Sequence, residues 1–249
     1  MARIDSLLRH VKAKQGSDLH LVAGIEPRIR SRGALAAISG THQLVDADLR
    51  AMLRELTTPA QWASYEATLE LDFAYSLAGT GRFRANYFFH ENGAAAVFRL
   101  VPDQIQPLEQ LNMPAVVESF AHLRSGLVLV TGPTGSGKST TLAAIIDKIN
   151  ATYDKHILTL EDPIEFVHQN KRSMISQREI GTHTRSFESA LRAALRENPD
   201  VILVGELRGT EVELALAAAE MGTLVFGTLH TNSAAKTVDR LIDIFPNDQ

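Results

Sequence analysis

The chain has 249 residues, 45% of them hydrophobic and 22% charged, with a formal net charge of −4 at pH 7. That length supports two modest domains, and the acidic balance argues against a broad nucleic-acid footprint. There is no cysteine, which excludes a disulfide framework and CxxC zinc sites and leaves Mg2+ as the metal to expect.

Met1 to Lys14 spaces apolar and basic residues as a helix does, with no stretch long enough for a signal peptide or membrane span, so the cytoplasm is the default compartment. Asp18-Leu19-His20-Leu21-Val22 and Pro27-Arg28-Ile29-Arg30 alternate like strands, and Asp46 to Glu55 reads as a helix. Alternation returns in Leu71 to Ser76, in Arg82 to Tyr87 and, after the Glu91-Asn92-Gly93 turn, in Ala94 to Leu100. These segments predict an α+β domain on an antiparallel sheet. Pro102 to Pro107 then breaks the pattern as a linker would, placing the domains at residues 1–104 and 105–249.

Beyond the linker the rhythm becomes strand, helix, strand. The apolar runs Leu127 to Val130, Ile157 to Leu160, Val201 to Val204 and Leu224 to Phe226 are short and continuous, as in parallel strands buried on both faces. Helices are expected between them at 140–150, 186–197 and 210–221. The chain stops at Phe245-Pro246-Asn247-Asp248-Gln249 without an evident closing element, which reads as a truncation.

Within this second region, Gly132-Pro133-Thr134-Gly135-Ser136-Gly137-Lys138-Ser139 spells a phosphate-binding loop, followed by Thr140 at the start of a helix. Glycines let backbone N–H groups curl around phosphates at the helix N-terminus, Lys138 adds a positive charge, and the Ser139 hydroxyl can ligate Mg2+. Three further strand ends carry polar groups. Glu206, after Val201 to Val204, is the candidate for polarising an attacking water, the alternative being a cap or solvated carboxylate. Glu161 and Glu165, in Glu161-Asp162-Pro163-Ile164-Glu165, can reach the Mg2+ shell or the water, while Asp162 before Pro163 fixes the turn. His230, beyond Leu224 to Phe226, can sense the terminal phosphate or be a hydrogen-bonded structural histidine.

The loop, the Glu161 to Glu165 box, Gly205-Glu206-Leu207-Arg208 and Gly227-Thr228-Leu229-His230-Thr231-Asn232 stand in the order that resembles the type II/type IV secretion ATPase superfamily. Gly16-Ser17-Asp18-Leu19-His20-Leu21, Ser189-Ala190-Leu191-Arg192 and the run from Asn232 to Arg240 resemble its branch that retracts type IV pili and drives twitching motility. The resemblance covers essentially the whole chain. It implies a PAS-like N-terminal α+β domain followed by a RecA-like P-loop NTPase core. It also implies a homohexamer that hydrolyses ATP beneath an inner-membrane platform protein, at the cytoplasmic face, without nucleic acid. Arg84 and Arg99 match family arginines that reach the nucleotide phosphates, with Arg82 a third candidate. Two departures stand out. The family's Arg-Asp-x-Glu-Thr is here Arg208-Gly209-Thr210-Glu211-Val212, and its helical C-terminal subdomain has no counterpart. An accessory ATP-binding paralogue with weak turnover is therefore the competing expectation, and a small-molecule kinase ranks below both because no lid or acceptor segment is evident.

Overall fold

The computed structural model describes residues 2–102, 104–133, 135–231 and 233–244. They fall into two compact units, Met1–Pro102 and Asp103–Gln249.

The N-terminal unit runs α1 (Asp5–Ala13), β1 (Asp18–Val22), β2 (Arg28–Ser31), β3 (Ala34–Ala37), α2 (Asp46–Arg54), α3 (Pro59–Thr68), β4 (Glu70–Leu77), β5 (Gly81–His90) and β6 (Gly93–Leu100). Its six strands form one antiparallel sheet in the order β3-β2-β1-β6-β5-β4. Period-two alternation decides which face is buried. Phe83, Ala85 and Tyr87 of β5 turn into a core with Leu19, Leu21 and Phe98, while Arg84 between them is exposed. Tyr87 sits at the centre, its ring edge-on to Tyr65, Phe73 and Phe98, and its hydroxyl donates to the Leu53 carbonyl at 3.2 Å. Burial of that polar atom is thereby matched by a partner.

The second unit runs α4 (Ala115–Ser119), a 3₁₀ turn (Phe120–His122), β7 (Gly126–Thr131), α5 (Lys138–Thr152), β8 (His156–Glu161), β9 (Met174–Glu179), α6 (Phe187–Ala194), β10 (Val201–Val204), α7 (Thr210–Glu220), β11 (Leu224–Leu229) and α8 (Ala234–Ile242). Its strands are parallel in the order β7-β11-β10-β8-β9. The fold class expected from the sequence is therefore the one observed. The register pairs Val204 with Leu160 and Gly227, and Thr131 with Leu229, so four strands end along one edge.

Some expectations need correction. β10 and β11 are buried along their whole length, but β7 is only half-buried throughout, because it lies at one side of the sheet. β9 at the opposite side was not foreseen: Met-Ile-Ser-Gln-Arg-Glu carries too few apolar residues to read as a strand. Nor was α3, whose apolar pattern is weak and which buries only Trp62 and Tyr65. It is fixed instead by a capping box in which Thr58 Oγ1 accepts from the Gln61 amide and Gln61 accepts from the Thr58 amide. The first turn of α8 is capped by the Ser233 hydroxyl, and the run Phe245-Pro246-Asn247-Asp248-Gln249 lies outside the described residues.

Candidate functional site

The phosphate loop joins β7 to α5. Gly132, Gly135 and Gly137 have φ of 150°, 79° and 91°, a backbone that L side chains avoid. A Cβ on Gly132 would also lie 2.7 Å from Ser136 Oγ. Gly137 is the N-cap of α5 and offers no side-chain acceptor, so the first amides of a 15-residue helix point outward unclaimed by a cap. Such an end attracts an anion. Lys138 Nζ donates to the Gly132 and Pro133 carbonyls at 2.9 and 3.0 Å, so the loop holds its own cation in place. Ser136 and Ser139 are exposed and Thr140 is half-buried at the same helix end. Thr134, also expected to bind phosphate, lies outside the described residues, as does Asn232 of the histidine box.

Glu206 leaves the end of β10 one residue after Gly205, whose amide donates to the Leu160 carbonyl of β8 at 2.8 Å. Its carboxylate is neither a cap nor merely solvated. Arg208 grips both oxygens, Nε to Oε1 at 2.7 Å and Nη2 to Oε2 at 2.6 Å, and His230 Nε2 lies 3.6 Å from Oε1. The Arg208 bond holds the Glu206 carboxyl below its ordinary pKa; burial opposes this, and the charges of Arg208, His230 and Lys138 reinforce it. β11, lying between β7 and β10, brings His230 to this place. Leu207 anchors the turn from the other side, its amide donating to the Thr228 carbonyl at 3.0 Å and its side chain covering Gly227, where a Cβ would meet it at 2.4 Å. Arg208 was not among the expected site residues, although its spacing of two from Glu206 beyond a strand end is the signal that could have marked it.

The acidic box is built around Glu161. Glu161 is buried at the end of β8, where Oε1 accepts from Thr159 Oγ1 at 2.6 Å and Gln177 Nε2 at 3.2 Å, and Oε2 accepts from the Glu165 amide at 3.2 Å. Burial raises its pKa, against those three hydrogen bonds. The carboxylate expected at a metal is thus engaged with its own loop. Glu165 is exposed on that loop, two residues after Pro163 of the cis Asp162–Pro163 bond. No group of three or more His, Asp or Glu suited to a metal ion occurs among the described residues.

In the N-terminal unit, Arg30, Asp18, Arg99 and Arg84 are successive partners across β2, β1, β6 and β5. Asp18 has a side chain 3% exposed and takes Arg99 Nε at 2.8 Å, with Arg30 Nε at 3.9 Å. Arg99 is held at its base while its side chain remains 63% exposed, and Arg84 is exposed beside it. Burial would raise the Asp18 pKa, but the Arg99 and Ser17 hydrogen bonds outweigh it and hold the carboxyl below its ordinary value. Arg82 is half-buried.

A strand, a glycine-bounded loop and a helix, with a carboxylate at the end of another parallel strand, define a P-loop NTPase with a RecA-like core. The family model described as "Type II/IV secretion system protein" matches residues 4–247. The chain is 51% identical over 239 residues to the type IV pilus retraction ATPase PilT of Pseudomonas aeruginosa, spanning 95% of this chain and 69% of that protein. It is 50% identical to a twitching motility protein of Neisseria gonorrhoeae, covering 97% of this chain and 64% of the relative. A crystal structure of the pilus retraction motor PilT with bound ADP superposes with a TM-score of 0.94 at 44% identity, over 100% of this chain and 73% of that one. The chain belongs to the type II/IV secretion system protein family, on its PilT-type branch.

Proposed function

We propose that this chain is a motor subunit that hydrolyses ATP to power retraction of type IV pili and twitching motility. The observation that carries this reading is the meeting, at one edge of a parallel sheet, of the phosphate loop with Lys138 and a carboxylate, Glu206, flanked by His230. Similarity to the Pseudomonas retraction ATPase and to the motor crystallised with ADP supports it.

In this reading the loop amides and the start of α5, from Gly135 to Thr140, hold the phosphates, and Lys138 exchanges the carbonyls of Gly132 and Pro133 for phosphate oxygens. The Ser139 hydroxyl would hold Mg2+, which when bound would neutralise phosphate charge. Glu206 orients water and accepts its proton at the lone pair of Oε1 that its single Arg208 bond leaves open. His230 stands beside that oxygen and can follow the charge that develops there. Arg84 and Arg99 supply further positive charge, and Glu165 a second carboxylate. The working form is a homohexamer associated with an inner-membrane platform protein at the cytoplasmic face. Among the described residues no helix is long and apolar enough to cross a membrane.

Expression in a strain lacking its own retraction ATPase, with twitching scored beside ATP turnover of the purified chain, tests the reading. Restored twitching with ATP hydrolysis is expected; neither would refute it. Specific activity should also fall on dilution below the concentration at which light scattering reports the ring. A second reading has one observation in its favour: Gly209, with φ of 49° and ψ of −119°, stands where the family carries aspartate. If the chain binds ATP but turns it over poorly, it is an accessory subunit.

A further inference from the structure

The segment between Asp162 and His168 belongs to no helix or strand, yet Ile164 is buried and Pro163, Phe166, Val167 and His168 are half-buried, and amides there must find acceptors. They find side chains. The Ile164 amide donates to Glu179 Oε2 at 3.0 Å, the Glu165 amide to Glu161 Oε2 at 3.2 Å, and the His168 amide to Gln177 Oε1 at 2.8 Å. Gln177 Nε2 donates in turn to the Phe166 carbonyl at 2.9 Å and to Glu161 Oε1 at 3.2 Å. Glu179 Oε1 accepts from Thr182 Oγ1 at 3.0 Å, which ties the following turn to the same carboxylate.

Three features make this more than routine satisfaction of a loop. Gln177 and Glu179 are two residues apart on β9 and so share a face, and Glu161 is the register partner of Glu179 on β8. Two carboxylates as direct partners repel, and neutral acceptors would satisfy the same amides without that cost. Four of these bonds fall on Ile164, Glu165, Phe166 and His168, the stretch that contains and surrounds Glu165. A carboxylate working on a bound ion or water must be held within a fraction of an ångström, which a free loop does not achieve.

We propose that Glu161, Gln177 and Glu179 are positioning residues that fix the backbone around Glu165 and so present its carboxylate to the reacting nucleotide. The inference rests on the reading of Glu165 as a residue of the ATPase site. It assigns Glu161 to the loop and not to the metal.

The test is a double-mutant cycle in the purified full chain, reading kcat, KM for ATP and Tm. Glu179→Ala should lower kcat about 10-fold or more with KM for ATP little changed. Glu179→Gln, which keeps an acceptor for the Ile164 amide, should recover most of that loss. Combined with Glu165→Ala, Glu179→Ala should do no further harm, because its effect runs through the missing carboxylate. Gln177→Met, nearly isosteric and uncharged, should behave as Glu179→Ala does and serves if the latter fails to fold. Losses that multiply in the double mutant, or a lowered Tm with unchanged kcat, would overturn the proposal while leaving Glu165 in its role. If Glu165→Ala leaves turnover unchanged, the role of Glu165 falls and the proposal falls with it.

Discussion

In β5 the exposed Arg84 stands between Phe83 and Ala85, both buried, whereas in β10 Val201 to Val204 are buried without interruption and Glu206 comes only after the strand has ended. The antiparallel sheet has one wet face, so it can carry charge at every second residue and spread it across strands, as Arg30, Asp18, Arg99 and Arg84 do. The parallel sheet has helices against it and no room for charge along its central strands, so its chemistry collects where the strands stop. Charge is laid out as a row in one sheet and at an edge in the other. Substitutions in the two regions should therefore fail in different ways.

The largest effect belongs to the edge. Lys138→Ala removes the only side-chain cation of the phosphate loop, and should abolish hydrolysis and severely weaken ATP binding; unchanged turnover would take the loop out of the mechanism. Next comes the row. Arg99→Ala should cut turnover on the order of 10³-fold while leaving most ATP affinity, as for a charge that matters when the terminal phosphate departs. Equal losses of affinity and turnover, measured by nucleotide titration beside steady-state rates, would put both sheets in the same role and erase the contrast. Glu206→Gln follows, with a loss of roughly 10²-fold in kcat and ATP binding preserved, as for a positioned base.

A subtler shift comes from Arg208→Ala. In the structure Arg208 lowers the Glu206 pKa, so losing it moves that pKa upward. The base works as the carboxylate, and the acid limb of the kcat profile should move to higher pH; a limb that stays in place would mean that Arg208 is already displaced in the working form. Least of all should change with Thr58→Ala, which breaks the capping box of α3 for about 1 kcal/mol, seen as a small drop in Tm with turnover intact. A matching loss of activity would tie that helix to the chemistry.

Much of this was legible along the chain. The phosphate loop is contiguous, and four apolar runs announced the strands β7, β8, β10 and β11 of the second unit, of which all but the half-buried β7 are buried. β9 was not legible, because an outer strand needs few apolar residues and its polar ones, Gln177 and Glu179, face a loop 9 to 15 residues earlier in sequence. α3 escaped for a related reason, since a capping box and two aromatics hold what periodicity does not announce.

By itself, then, the sequence determined the local elements, the P-loop and the polar tips of the strands, because these depend on patterns within a few residues. The tertiary structure alone decided which tips meet. Parallel register sets β11 between the loop strand and β10 and so brings His230 against Glu206; Arg208, two residues beyond Glu206, takes both oxygens of that carboxylate; and Glu161 accepts from the Glu165 amide and from Gln177 of β9. The meeting of His230 with Glu206 joins segments distant in sequence, and the other two depend on how a side chain turns once its strand is fixed, which apolar periodicity does not encode.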